Sequence, residues 1–324
     1  MDNRNKTWNG YMKYFSAPYT QKYLFHCYER KKLEKAEQKS YENCYPFIYY
    51  LEHAKNYYEL STHSPLSIKP VLLFYGMTQL FKACLLTVDA SYPHNTSVLA
   101  HGVTTRKRKK QSYDFLDDEV KVQKNGLFSH ISAKMFHMEH LEGNKYSMSS
   151  LMSQVVEMTS LHQEAAKPLK INTNWSRREI EFPTFFLDLF HMNTERFHSY
   201  IKGKATFGIQ ANEEKKKSIS FRLLEKSINL SCCSPFMYHL DEDALYFPNK
   251  REGTTFFPEP LSHYLVLYNL SMISRYETEW WYELLHTYSS HDYPFITHFL
   301  SITEEKIPFL LLSYLKHNEK GLVN

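Results

Sequence analysis

Over residues 71–88 the chain reads VLLFYGMTQLFKACLLTV, the most apolar helix candidate it contains. Leu73, Met77, Leu80, Cys84 and Leu85 recur at helical steps. Val71, Leu72, Phe74 and Phe81 carry the apolar surface most of the way round, so the pattern predicts a helix enclosed on nearly every side. Ser67 is placed to cap it and Pro70 to open it, because proline's missing N–H is harmless in a first turn. Gly76 and Ala83, seven apart, allow a neighbour to approach closely. Tyr75, Gln79 and Lys82 stand at i, i+4 and i+7 and form one polar line on an otherwise apolar rod. Either Lys82 runs its stem along the surface to the rim and Gln79 bonds to backbone, or the line faces the floor of a cleft where a desolvated lysine holds an anion. The length approaches that of a membrane span, but Gln79 and Lys82 near its middle are costly in lipid, so a soluble core helix is expected.

Upstream, residues 8–58 are dense in helix formers interrupted by Pro18 and Pro46, and Ile48, Leu51, Ala54 or Lys55, and Tyr58 recur at three- and four-residue steps. KKLEKAEQK, at 31–39, reads as a solvated charged face. Downstream, VDASYPHNTS is turn chemistry. EVKVQ and LFSHIS alternate on either side of Asn125-Gly126, which predicts a hairpin with strands over 120–124 and 127–132. A helix is expected over 147–161, a strand over 169–172 and a helix over 184–201. ATFGIQ and SISFRLL read as an antiparallel pair, with ALYF and GTTFFP as a further one. From Pro260 the pattern returns to helix through SHYLVLYNLSMISRYETEWWYELLHTY, followed by FITHFLSI and PFLLLSYLKH, divided at Thr303-Glu304-Glu305 and Pro308. This order predicts an α+β fold, predominantly α-helical, with helical N- and C-terminal parts around a small central antiparallel sheet. The expected organisation is one continuous unit, 1–324, with lobes at 1–100, 101–259 and 260–324, and no internal repeat is visible.

Composition narrows the class. Apolar residues make up 43% and aromatics 16%, with only nine glycines and thirteen prolines, so the chain folds rather than remaining disordered. Its 25 tyrosines bring hydroxyls that need partners when buried. The net charge of +4 is too small to mark a polyanion binder by itself, which shifts that argument to local clusters. Five cysteines lack metal or redox spacing and the N-terminal residues carry no apolar signal core, which points to the cytoplasm.

The strongest such cluster is Arg106, Lys107, Arg108, Lys109 and Lys110, after Thr104-Thr105 and before Tyr113. Cations packed this tightly gain when phosphate neutralises them, although many such runs are solvated loops. The adjoining His101-Gly102 step allows close backbone approach. The leading expectation is therefore a phosphate-bearing ligand, nucleotide or RNA, bound through loop 101–110. Lys82, His101, Thr105, Arg106, Arg108, Lys109 and Arg275 are its candidate contacts, with the Asn125 hairpin as a wall. A competing reading is an enzyme whose acid–base cleft combines Lys82, His101, Arg275 and Glu277. A third is a protein–protein or homo-oligomer module using aromatic helices that include Trp280 and Trp281. Arg275 pairs locally with Glu277 or Glu279, or reaches a buried carboxylate or phosphate as a planar fork. His137 and His140, three apart, lack a third ligand, so no metal and no cofactor are expected. Cys232-Cys233 reads as two ordinary cysteines. Walker, dinucleotide-binding, nucleophile-elbow and kinase patterns are missing.

KPVLLFYGMTQLFKACLLT, LAHGVTTRKRKK, EVKVQKNGLFSH and HYLVLYNLSMISRYE resemble the YaaC-like proteins of Bacillus and related bacteria, over nearly the whole chain. The resemblance implies a bacterial cytoplasmic protein of one continuous fold. No activity is established for that family, so it assigns no residue a role. The arginine, four to six residues, then histidine of HEPN-class nucleases is not met: Arg196 and His198 stand too close, and Arg275 and His286 too far apart. A HEPN-like helical fold would then imply binding rather than catalysis.

Overall fold

The computed structural model describes residues 3–105, 113–161, 167–212, 218–254, 256–288 and 291–322. Among these are eleven α-helices and ten short strands in three antiparallel sheets, a predominantly helical α+β fold as the pattern predicts. Two compact units divide the chain, Met1–Met152 with Pro260–Asn324, and Ser153–Glu259.

The first unit begins with α1 (Asn3–Tyr11), α2 (Ala17–Arg30), α3 (Ala36–His63) and α4 (Lys69–Leu86). Pro18 opens α2, whereas Pro46 lies inside a continuous α3. The expected apolar rod is α4, with Leu73, Phe74, Met77, Leu80, Phe81, Cys84 and Leu85 all buried. Gly76 permits the close approach its sequence position suggests, since a Cβ there would lie 2.9 Å from the Tyr58 ring of α3. Ser67 does not cap α4: Ile68 takes that position, and the Ser67 carbonyl accepts the indole N–H of Trp281 at 3.0 Å.

Next come β1 (Val103–Thr105), β2 (Glu119–Val122), α5 (Leu127–Phe136), β3 (Lys145–Ser147) and α6 (Met148–Met152). The hairpin expected at Asn125-Gly126 is absent. β2 pairs instead with β1 (Val103 opposite Val122) and with β3 (Val120 opposite Tyr146), and residues 127–132 are the first turns of α5. The reason is a contact between distant glycines. Gly126, at φ +135°, sits so close to Gly102 that a Cβ on it would lie 2.3 Å from the Gly102 Cα. The Gln123, Leu127 and Phe128 amides then donate to the carbonyls of Gly102, Ala100 and His101. Leu127, Phe128, Ile131, Met135 and Phe136 follow helical spacing and are buried; six alternating residues were too few to separate the two periods. The helix expected over 147–161 is likewise cut to α6 and a 3₁₀ turn at Val156–Ser160.

The second unit holds β4 (Leu169–Lys170), β5 (Asn172–Asn174), β6 (Glu179–Pro183), α7 (Phe185–Phe190), α8 (Thr194–Lys204), β7 (Ile209–Ala211), β8 (Ser218–Leu223), β9 (Met237–His239) and β10 (Ala244–Phe247). The β7–β8 pair forms as expected and joins β5 and β6 in the order β5-β6-β8-β7. Residues 169–172 split between two sheets instead of making one strand. The helix expected over 184–201 breaks where His191 turns left-handed, and the Asn193 side chain then caps α8 by accepting from the Arg196 amide. β10 pairs with β9 and β4; GTTFFP forms no strand among its described residues, where a 3₁₀ turn at Arg251–Gly253 intervenes.

The chain completes the first unit with α9 (Glu259–Tyr276), α10 (Thr278–Thr287) and α11 (Asp292–Asn318). α9 is buried at every position over 261–271. α11 runs unbroken through Pro308, although an internal proline typically costs about 3 kcal/mol; the burial of Ile307, Leu310, Leu311, Tyr314 and Leu315 around it offsets that. Glu304 of α11 accepts from Ser61 at 2.9 Å and from Lys69 at 2.8 Å and lies 3.6 Å from Arg4, so one carboxylate joins α1, α3, α4 and α11. The five cysteines are free. No described helix is long and apolar enough to cross a membrane.

Gly126→Ala should lower stability by at least about 3 kcal/mol, combining a strained left-handed residue with backbone overlap. Asn125→Ala, at an exposed position, should leave urea unfolding within about 0.5 kcal/mol of wild type. Equal effects of the two would restore the hairpin.

Candidate functional site

The polar line of α4 becomes the part-exposed stripe of a buried helix: Tyr75, Gln79 and Lys82 are half-buried between fully buried neighbours. The ammonium of Lys82 rests over the Tyr50 ring of α3, 5.7 Å from its centroid, and burial lowers its pKa. This is the position in which the stem is packed and, among the described residues, no carboxylate pairs with the charge.

His101 reaches the same region from the loop before β1. Its ring centroid lies 5.0 Å from Phe74, 6.2 Å from Tyr75 and 5.7 Å from Tyr268. Its backbone is held as firmly, because its carbonyl accepts from the Tyr264 hydroxyl at 2.9 Å and from the Phe128 amide. Burial lowers the pKa of His101, and the positive charges of Arg275 and then Lys82 lower it further.

Arg275 enters from the last turn of α9. Its Nε donates to the Ser271 carbonyl at 2.9 Å, its Nη1 to the Tyr75 hydroxyl at 3.5 Å, and its guanidinium lies over Tyr276. None of these contacts neutralises it. Among the described residues neither Lys82 nor Arg275 has a carboxylate within ion-pair reach. His101 and Arg275 both lie against Tyr75, and Lys82 stands two turns further along the same line of α4. Glu277 does not figure among the charges acting on His101; its amide donates to the Ile273 carbonyl where the chain turns into α10.

Thr105 has a role that its place beside the basic run did not suggest. Its hydroxyl donates to the Asn269 side-chain Oδ1 at 2.9 Å, the Asn269 Nδ2 donates to Asp118 Oδ2 at 2.9 Å, and the Tyr113 hydroxyl donates to the same Oδ2 at 2.7 Å. This network, built on buried Asn269 and Asp118, fixes Thr105 and Tyr113, the described residues that flank 106–112. Arg106, Arg108 and Lys109 lie outside the described residues. Asn269 and Tyr268 went unrecognised in the sequence, although a lone asparagine within YLVLYNL is the kind of buried polar group that demands a partner. Trp281 is core, and Trp280 packs edge-on against Tyr113 at 4.8 Å, so this pair makes no exposed aromatic patch.

The depressed pKa of His101 fixes a sign. Below the ordinary histidine value of about 6.5, the unfolded chain binds a proton that the folded one rejects until its own lower pKa is reached. Acid therefore favours unfolding in that window, and stability rises with pH to a plateau above it. His101→Gln should flatten this part of the profile in urea titrations between about pH 5 and 8; an unaltered slope would mean that His101 titrates as in the unfolded chain.

A family model described as YaaC-like protein matches residues 12–315. No curated protein matches the chain, and no solved structure does. The match begins just after α1 and takes in the remaining helices and strands up to the last turn of α11, including Lys82, His101 and Arg275, and the chain belongs to the YaaC-like protein family.

Proposed function

We propose that the line on α4, with His101 and Arg275, binds a phosphate-bearing ligand, a nucleotide or RNA. The observation that carries this reading is that His101 and Arg275 both lie against Tyr75, with Lys82 on the same line of α4, and that no described carboxylate is in ion-pair reach of either cation. Keeping cations partly desolvated and uncompensated costs stability, and an arriving anion recovers that cost through charge-assisted hydrogen bonds. Arg275 offers a planar fork, Lys82 a point charge and Tyr75 a hydroxyl.

An aromatic ladder beside the cations favours a ligand with a base. Tyr75 stacks with Tyr57 at 5.9 Å, and Tyr57 with exposed His53 at 4.8 Å. Aromatic platforms next to a basic groove are how single-stranded nucleic acids are held without sequence preference. The run at 106–110 would add phosphate contacts from a segment whose two flanks are tied to Asn269 and Asp118.

Lys82→Gln and Arg275→Gln should each weaken binding of a fluorescent single-stranded oligoribonucleotide or ATP analogue by about tenfold, and Arg106→Ala with Arg108→Ala by more. Each lost phosphate contact should reduce the salt slope by about 0.7 for a single strand. Anisotropy titrations at several salt concentrations measure both, and wild-type affinities in the two glutamine variants would reject the reading. A bound anion also favours protonated His101, so binding should take up protons near neutral pH. Calorimetry in buffers of different ionisation enthalpy reads this, and it should vanish in His101→Gln.

A further inference from the structure

Asp89, His94 and His130 form a second cluster that neither their spacing nor the anion site explains. One potential ligand atom from each lies within 4.8 Å of the others. We propose that these three residues bind a divalent transition-metal ion of the zinc type.

Each side chain is delivered by a different part of the fold. Asp89 follows the end of α4, His94 lies in the turn after it, and His130 is in the first turn of α5. The Asp89 carboxylate is already oriented, with Oδ1 accepting from the Ser91 amide at 3.1 Å and Oδ2 lying 2.9 Å from the His130 Nε2. Tyr92 stacks on the His130 ring at 5.7 Å and 25°, restricting its rotation. An oriented carboxylate and a packed imidazole are the support that ligand sets need.

An ordinary Asp–His pair accounts for two members but leaves His94 unexplained. Its ring lies 5.3 Å from that of His130, yet among the described residues it has no hydrogen bond, and it is exposed and free to adjust. Two neutral imidazoles side by side repel when protonated and cooperate when they share a cation. A zinc ion with bonds of about 2.0–2.1 Å holds tetrahedral ligands roughly 3.4 Å apart, within the reach of these atoms after a small rotation of His94.

The donor set also selects the ion. Two nitrogens and one carboxylate suit zinc, cobalt, nickel or iron(II), whereas magnesium and calcium want oxygen ligands. Lys134, one turn after His130, and Lys31 place positive charge near Asp89, which further disfavours ions held by charge alone. Three protein ligands leave at least one coordination position to water or to an anion. The ion would join the turn at 89–94 to the start of α5. This proposal does not rest on the phosphate-binding reading.

The test is zinc titration of the metal-free full chain by calorimetry, with cobalt(II) absorption as a report on geometry. Wild type should bind one equivalent and give the visible bands of a low-symmetry site. His94→Ala and Asp89→Asn should each weaken that equivalent at least tenfold and remove the bands. His94 is exposed and Asp89→Asn keeps the size of the side chain, so both variants should keep the wild-type circular dichroism. His140→Ala, at an exposed histidine elsewhere, should bind as wild type. Wild type without a stoichiometric equivalent overturns the proposal. So does a His94→Ala variant of unchanged affinity, which would reduce the cluster to an Asp–His pair, or a loss in His140→Ala matching that in His94→Ala.

Discussion

The burial of Tyr264 is the contact on which the first unit depends. Its ring packs against Phe74 and Phe81 of α4 and Phe128 of α5, and its hydroxyl donates to the His101 carbonyl. A phenol buried this completely must find an acceptor, and the acceptor it finds is the backbone of His101. Packing of the apolar helices and placement of the polar site are thus one event. α9, buried around its circumference over 261–271, cannot move without moving His101, Asn269 and Arg275.

A second requirement follows from the strand β1. A three-residue strand has little stability alone, yet it places Gly102 against Gly126 and Thr105 against Asn269. The Thr105–Asn269–Asp118–Tyr113 network shares one carboxylate between two donors in a buried setting, where an unmet polar group typically costs about 1–3 kcal/mol. Its members come from β1, from the segment that leads into β2, and from α9. It therefore specifies position as well as contributing stability.

α4 links the two regions of polar chemistry. Its apolar surface makes it the packed axis against α3 and α11. Its one polar line carries Lys82, and the turn that ends it carries Asp89 and His94. The enclosure of the helix leaves Lys82 partly desolvated, which lowers its pKa.

Local pattern determined a good deal. The enclosure of α4, its polar line, the close approach at Gly76, the β7–β8 pair and the predominantly helical class all follow from periodicity and turn chemistry, because each is dictated by residues within a few turns of one another. Where the pattern misled, a distant segment intervened. Asn125-Gly126 carries the strongest short-range hairpin signal in the chain, but Gly102 occupies the space a hairpin partner needs, and α5 begins instead. Pro46 and Pro308 look like breaks and are not, since packing on the faces of α3 and α11 outweighs one lost backbone bond each. Lys82, His101 and Arg275 were each conspicuous as residues. That His101 and Arg275 come together at Tyr75 depends on α9 packing against α4, which brings Arg275 to a residue 200 positions away. Asp89, His94 and His130 were not legible at all as a set, because their spacing of 5 and 36 residues carries no helical or turn signature. Only the docking of α5 beside the end of α4 brings those three side chains within ligand distance of one another.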